Sequence, residues 1–342
     1  MLKSDLYVDL LYGAQDAFGA ARQAAWHNKT SAGAPIEEDQ LFWLIETALP
    51  RLERNWTPLL SGSGTSMRLS GVFCHKTPLA VYADSKMPSG PKIRRELGDL
   101  LLVHDHQGRD ARRRAVLMQA KRMDDGRLKA DNPEQARLYS DWPRFELRGH
   151  GRDGSSFLAG ERDFTHSRDG VRYLILDDAR HPGHFPYWFD CPWCPIEGDH
   201  VNGWLVSDPR GAVGLPGSEN FATTFVNMLY EVYPPRGQKA KRYPQGTVPA
   251  LGKGEDFDTT VHELLTKTFT KELLTKERGR HARKRGEETG FMGNTSGRLP
   301  DSSLAFLSGP SASDLDPPGS ERAGAGEGDR PIAIVLVETF GD

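Results

Sequence analysis

The sequence is poor in cysteine, in long apolar runs and in net charge. Its three cysteines are too few for a disulfide framework, so we expect a reducing compartment, the cytoplasm. The apolar runs are no longer than a strand, and the first five residues lack the apolar core of a signal peptide, so neither a membrane span nor secretion is predicted. The net charge of −3 excludes a uniformly basic nucleic-acid-binding protein but leaves room for a local basic cleft.

Two apolar runs of strand length stand out, at residues 100–104 and 115–121. The segment between them is polar and charged, which predicts an antiparallel pair joined by a hairpin connection. If the hairpin is symmetric about Arg109, Asp99 lies opposite Gln119. By the same symmetry Leu101 lies opposite Leu117 and Val103 lies opposite Ala115.

Strand side chains alternate between faces, so Asp99, Gln119 and Lys121 are predicted to share one face of this hairpin. Asp99 and the amide oxygen of Gln119, together with the backbone carbonyl of Ala120, are hard ligands suited to Mg²⁺ or Mn²⁺. Lys121 can stabilise the charge of a phosphoryl transition state or orient an attacking water. The alternative is two buried structural strands with charged ends.

This order of residues resembles the PD-(D/E)xK nuclease superfamily, whose signature is an acid on one strand and (D/E/Q)-x-K on the next. Here these are Asp99 and residues 119–121. Gln135 and Tyr139 match the Q-x-x-x-Y that some exonuclease-like members carry on the following helix. The resemblance covers roughly residues 35–143.

The resemblance implies an α/β, restriction-endonuclease-like fold with a mixed central sheet flanked by helices. It also implies Mg²⁺- or Mn²⁺-dependent hydrolysis of phosphodiester bonds, in DNA, with a role in restriction or phage defence. Gln119 stands where most members have an acid. The alternative function is therefore a catalytically weak or inactive nuclease-fold protein that binds nucleic acid or a partner protein, and a homo-oligomer is also left open.

Further site residues follow from the same resemblance. Glu96 lies three residues before Asp99, so it joins the site only if Gly98 forms a bulge in a continuous strand. In the superfamily an N-terminal helix often adds a glutamate to the site. An amphipathic helix is predicted here from residue 38 to about residue 49, ended or kinked by Pro50. Its Glu46 is the candidate, and a solvated surface role is the alternative. Gln135 and Tyr139 either bind the phosphates of the cleaved strand or brace their helix on the sheet.

A second metal-capable segment lies at residues 181–200. Its histidines and cysteines are His181, His184, Cys191, Cys194 and His200. One Cys-x-x-Cys pair is a weak zinc signal, because structural zinc needs four ligands. His184 or His200, or Cys74 with His75, would have to complete the set. A structural Zn²⁺ at Cys191 and Cys194 is one interpretation, a packed aromatic loop is the other, and a zinc-stabilised interaction module would be a third function.

Three basic stretches are candidates for contact with phosphates or, alternatively, solvated surface. The first comprises Lys92, Arg94 and Arg95, the second runs from Arg236 to Tyr243, and the third is residues 276–285 with six basic residues against one acid.

The length of 342 residues and the 37% hydrophobic content allow one large or two ordinary domains. We predict a nuclease core at residues 1–145 and a mostly helical accessory region at 146–275 plus 331–342. Residues 276–330 are predicted to form a flexible segment, basic at first and then rich in Gly, Ser and Pro. The unbroken apolar run at 332–337 predicts a buried final strand.

Overall fold

A computed structural model describes the fold. The described residues are 4–29, 31–73, 78–84, 89–107, 111–124, 127–128, 132–148, 157–177, 204–207, 219–230, 237–243, 251–252, 255–268, 291–294 and 333–341. No helix in these residues is long and apolar enough to cross a membrane.

The described residues contain six α-helices. These are α1 (Ser4–His27), α2 (Glu37–Trp43), α3 (Leu49–Ser61), α4 (Pro133–Asp141), α5 (Phe221–Tyr230) and α6 (Asp256–Thr268). A π segment, Leu44–Ala48, joins α2 to α3, and its last bond runs from the Leu49 N–H to the Leu44 carbonyl. Helical backbone therefore continues past Pro50, which lies in the first turn of α3, so the predicted helix does not end there.

Fourteen strands are described. These are β1 (Ser66–Phe73), β2 (Leu79–Tyr82), β3 (Ile93–Glu96), β4 (Leu100–His106), β5 (Arg112–Asp124), β6 (Arg127–Leu128), β7 (Phe145–Arg148), β8 (Glu161–Arg162), β9 (Val171–Asp177), β10 (Trp204–Ser207), β11 (Glu219–Asn220), β12 (Gln238–Lys239), β13 (Phe291–Asn294) and β14 (Ala333–Phe340).

The strands form two sheets. The larger has the order β11-β10-β9-β5-β4-β14-β1-β13, with β6 and β12 also paired to β5, and the smaller has the order β3-β2-β7-β8. In the larger sheet β14 runs parallel to β4 and β9 runs parallel to β5, whereas the other pairs are antiparallel. The protein is thus α/β, with a mixed sheet flanked by helices.

The hairpin at the centre of the larger sheet has the register predicted from the sequence. Leu101 pairs with Leu117 and Val103 pairs with Ala115. On one face Leu100, Leu102 and Met118 join a core with α1, α2, α3 and α5. On the other face Leu101, Val103 and Leu117 join a core with α4 and α6, so helices cover both faces.

The final strand lies inside the larger sheet. The prediction of a buried strand at residues 332–337 is confirmed for residues 333–337, because β14 inserts between β4 and β1 with residues 333–339 buried; Ile332 lies outside the described residues. Strands on both sides of the predicted boundary at 145/146 share this sheet. Beyond residue 170 the described part contains six strands and two helices, so a mostly helical C-terminal half is not confirmed. The segment predicted to be flexible, 276–330, contributes β13.

Burial of β14 predicts that Ile334→Ala will destabilise the whole sheet. Ile334 is fully buried, so its truncation leaves a cavity and should reduce the free energy of unfolding by about 2–5 kcal/mol. The matched control is Ile93→Ala on β3, where the side chain is only half-buried and the loss should be clearly smaller. Denaturant unfolding measures both, and equal losses would contradict a central position for β14.

Candidate active site at the end of the central hairpin

The site begins where the chain passes from one sheet to the other. Glu96 ends β3 of the smaller sheet, and Leu100 begins β4 of the larger sheet. The predicted bulge at Gly98 within one continuous strand is therefore wrong. Glu96 and Asp99 flank a two-residue crossing between sheets, Leu97 and Gly98, which brings Glu96 close enough for its charge to act on Asp99 without any bulge.

Gly98 is needed in this crossing because neighbouring atoms leave no room for a side chain. A Cβ there would lie 2.8 Å from the Tyr139 hydroxyl oxygen and 2.9 Å from Leu117 Cδ1. The Tyr139 hydroxyl donates a hydrogen bond to the Leu97 carbonyl at 2.7 Å. Helix α4 is thereby held directly against the crossing.

Helix α4 presents both members of the Q-x-x-x-Y motif to this point. Asn132 caps the helix, since its Oδ1 accepts from the backbone N–H groups of Glu134 and Gln135, each at 3.1 Å. Gln135 and Tyr139 then lie one turn apart, both buried. Gln135 Nε2 donates to the Glu96 carbonyl at 3.1 Å and to Gln119 Oε1 at 2.8 Å. These contacts match the interpretation that Gln135 and Tyr139 brace their helix on the sheet.

The carboxylate of Asp99 is held by two donors from β5. Its Oδ2 accepts from the backbone N–H of Ala120 at 2.7 Å and from Nε2 of Gln119. Within the described part of the chain, Oδ1 of Asp99 accepts no hydrogen bond. Gln119 is 3% exposed, whereas Asp99 is half-buried. One carboxylate oxygen is therefore committed to the protein and the other is open.

The surroundings of Asp99 oppose its negative charge. Burial raises the pKa of its carboxyl well above the ordinary value, and the nearby charges of Glu96 and Glu37 raise it further. The ammonium of Lys121 and the Ala120 N–H act in the opposite direction. A strongly perturbed carboxyl of this kind is typical of functional sites.

Glu37 is a site residue that the sequence did not reveal. It lies in the first turn of α2, and its Oε1 accepts from the backbone N–H of Arg122 at 2.9 Å. Burial raises its pKa, and Lys121 lowers it. Glu46, the candidate glutamate from the sequence, is exposed on the π segment, as in the alternative of a surface role. The sequence predicts that this helix starts one residue later, so Glu37 lay outside the predicted helix. Only the contact of Glu37 with β5 identifies it as a site residue.

Lys121 is half-buried, and its charge acts on both perturbed carboxyls, Asp99 and Glu37. Its ammonium makes no hydrogen bond or ion pair with the residues that the structure describes. A cation held among carboxylates without a fixed partner can bind an incoming anion such as a phosphate.

Tyr173 on β9 also belongs to this face, because it pairs with Gln119 in the parallel register. Its ring stacks on that of Tyr139 with centroids 5.2 Å apart and an interplanar angle of 18°. Burial raises the pKa of Tyr173 to about 12, so its hydroxyl stays protonated at neutral pH. No sequence signal connects it to the hairpin, since β9 lies some fifty residues further along the chain.

The donor chemistry of the site fits a hard divalent cation. Glu37 of α2, Glu96 of β3 and Asp99, which lies just before β4, supply carboxylate oxygens. The oxygen of Gln119 accepts from Gln135, and its nitrogen faces Asp99, so this amide is not oriented as a ligand. No ready-made group of three or more His, Cys, Asp or Glu side chains that could hold a metal occurs in the described ranges. A cation here would therefore require the carboxylates to close around it.

The basic residues near the site are mostly engaged. Lys92 pairs with Glu146, and Arg95 pairs with Glu134. Arg94 is exposed and has no ion pair in the part of the chain that is described. In the second basic stretch Lys241 pairs with Glu255 and Arg242 pairs with Asp105, so these cations are not free for phosphates.

Several predicted features lie outside the described residues. They are Cys74, His75, His181, His184, Cys191, Cys194, His200, Arg236 and residues 276–285. The zinc prediction and the third basic stretch accordingly stay predictions.

Comparison with protein-family models, curated proteins and solved structures finds no match to this chain. The nuclease resemblance therefore rests on the residues of the chain itself.

The raised pKa of Asp99 predicts a specific pH dependence of stability. As the pH rises above 3.8, the ordinary Asp value, the unfolded chain loses this proton while the folded protein keeps it. The free energy of unfolding should therefore fall with rising pH until the folded carboxyl has ionised. Asp99→Asn should remove that loss, making the variant more stable than the wild type at neutral pH.

Thermal unfolding between about pH 4 and pH 8 measures this effect. The control is Asp9→Asn on the exposed surface of α1, which should follow the wild-type curve. Parallel curves for the wild type and the Asp99 variant would contradict the raised pKa.

Proposed function

We propose that this protein is a metal-dependent nuclease that hydrolyses phosphodiester bonds, in DNA. The observation that carries the proposal is the convergence of Asp99, Gln119 and Lys121 at one end of the central hairpin, where Lys121 has no fixed partner among the described residues. Two further carboxylates, Glu37 and Glu96, act on the same point. Such a group of acids around a cation suits binding of a metal and a phosphate together.

A restriction-endonuclease-like fold is part of the proposal. It is supported by the mixed sheet, by the helices on both faces, and by α4, which follows the central hairpin in sequence and carries Gln135 and Tyr139 to it. A role in restriction or phage defence, in the cytoplasm, accompanies this proposal through the resemblance alone.

The roles of the residues follow from their contacts. Asp99 through Oδ1, with Glu37 and Glu96, would hold Mg²⁺ or Mn²⁺, which when bound polarises a phosphoryl oxygen and lowers the pKa of a coordinated water. Lys121 stabilises the negative charge that develops on the transferred phosphoryl group. Tyr139 keeps the crossing and helix α4 together through Leu97.

A second candidate function is binding of nucleic acid or a partner protein with weak or absent catalysis. The observation that favours it is the hydrogen bond from Gln119 to Asp99, since an amide occupies the position where most members of the superfamily place an acid. The site then carries one negative charge fewer for a cation. The zinc-stabilised module depends on residues 181–200, outside the described ranges.

Cleavage of DNA tests the proposal. We expect Mg²⁺- or Mn²⁺-dependent cleavage of circular or linear DNA by the wild type. Asp99→Asn removes a ligand and Lys121→Ala removes a charge, so each should reduce the rate about a hundredfold or more while the protein stays folded. Asp9→Asn on α1 and Arg54→Ala on α3 are the matched controls, because both side chains are exposed, and they should cleave at the wild-type rate.

Wild-type rates in both site variants would refute the site assignment. Metal-independent DNA binding by the wild type, without cleavage in any metal, would favour the second candidate function.

The third basic stretch is predicted to add affinity without sequence specificity. Its six cations are Lys276, Arg278, Arg280, Arg283, Lys284 and Arg285. Each cation that binds a phosphate releases condensed counterions, so changing all six to Gln should weaken DNA binding. It should also flatten the slope of log affinity against log salt by roughly 0.9 for each phosphate that is no longer bound.

Substitution is preferable to deletion here, because β13 lies only six residues beyond the stretch and pairs with β1. Binding to duplexes of unrelated sequence, at several salt concentrations, measures the slope. A slope equal to that of the wild type would identify the stretch as solvated surface.

A further inference from the structure

A continuous chain of side-chain amides connects the smaller sheet to the candidate site. It begins at the backbone carbonyl of Glu96, passes through Gln135 and Gln119, and ends at Oδ2 of Asp99. Nε2 of Gln135 donates twice, to Glu96 at 3.1 Å and to Gln119 Oε1 at 2.8 Å. Both hydrogens of that amide are used.

The direction of this chain is fixed at the Glu96 end. A backbone carbonyl cannot donate, so that end requires the nitrogen of Gln135. Because the same nitrogen also faces Gln119, the oxygen of Gln119 is the acceptor there, and its nitrogen is left for Oδ2 of Asp99. Reversing the amide of Gln135 would place its oxygen against the Glu96 carbonyl oxygen.

Burial makes the arrangement rigid. Gln119 is 3% exposed and Gln135 is 6% exposed, so water has little access to replace a broken link. Neither amide can rotate alone without leaving a buried donor or acceptor unpaired, which is costly.

We propose that Gln135 is a positioning residue, which fixes the amide of Gln119 so that residue 119 donates to Asp99 and does not bind the cation. Oδ1 of Asp99 is then the oxygen left for the metal. Gln119 as a ligand would require both of its hydrogen bonds to break. The part of this inference that concerns the cation rests on the proposed nuclease function, whereas the direction of the amide chain does not.

The direct test observes the side-chain amide of Gln119 by NMR in ¹⁵N-labelled, full-length protein. Gln135→Glu keeps the shape of residue 135 but leaves at most one donor in place of two, and Gln135→Leu removes every donor. Both variants should shift the Gln119 signal and accelerate its exchange with water about two- to tenfold, the range expected for loss of one net hydrogen bond. If residue 135 only fills space, Gln135→Glu preserves that role, and the Gln119 signal would not move in this variant.

The matched control is Gln107→Leu. Gln107 donates to Glu338 Oε1 at 2.9 Å near the opposite end of β4, so its removal should leave the Gln119 signal unchanged. Methyl spectra of the apolar core verify that each variant is folded. An unmoved Gln119 signal in folded Gln135→Glu protein would overturn the proposal.

Titration with MnCl₂ distinguishes failure of this inference from failure of the proposed nuclease function. If Mn²⁺ binds, Gln135→Leu, which adds no charge, should weaken its affinity about two- to tenfold although residue 135 is not a ligand, and unchanged affinity would overturn the positioning role. Wild-type protein that neither binds Mn²⁺ nor cleaves DNA would overturn the proposed function instead. The NMR result would still decide the direction of the amide chain.

Discussion

The carboxylate of Asp99 is the group around which this site is organised. It is taken partly out of water and placed near two other acids, yet one of its oxygens is held by two N–H donors from β5. Those donors orient the carboxylate but do not neutralise it. Lys121 is the nearby cation that offsets the negative charge, and it has no ion pair in the described part of the chain. The orientation of this carboxylate is therefore fixed while its surroundings oppose its charge, and a bound cation would relieve that opposition.

The rest of the fold maintains this carboxylate in place. The crossing at Leu97 and Gly98 sets where β4 begins, and Tyr139 and Gln135 attach helix α4 to it. β14 supports β4 along its whole length from the other side. The site consequently depends on contacts between segments more than 200 residues apart, so loss of the final strand would disturb Asp99 without touching it.

The hairpin could be predicted from the sequence, because alternation and symmetry are local properties of residues 99–121. The register and the shared face of Asp99 and Gln119 followed from them. Glu37, Tyr173 and the partners of β14 could not be predicted, since their positions depend on pairings between distant segments. The two sheets were also hidden, because β3 and β4 are separated by only three residues and read as one strand.

The most direct test of a cation site at Asp99 is anomalous diffraction from crystals soaked in MnCl₂. We expect a manganese peak beside Oδ1 of Asp99, with the nitrogen of Gln119 still directed at Oδ2 and its oxygen still accepting from Gln135. A structure with no manganese at Asp99, obtained at concentrations that support DNA cleavage, would contradict it.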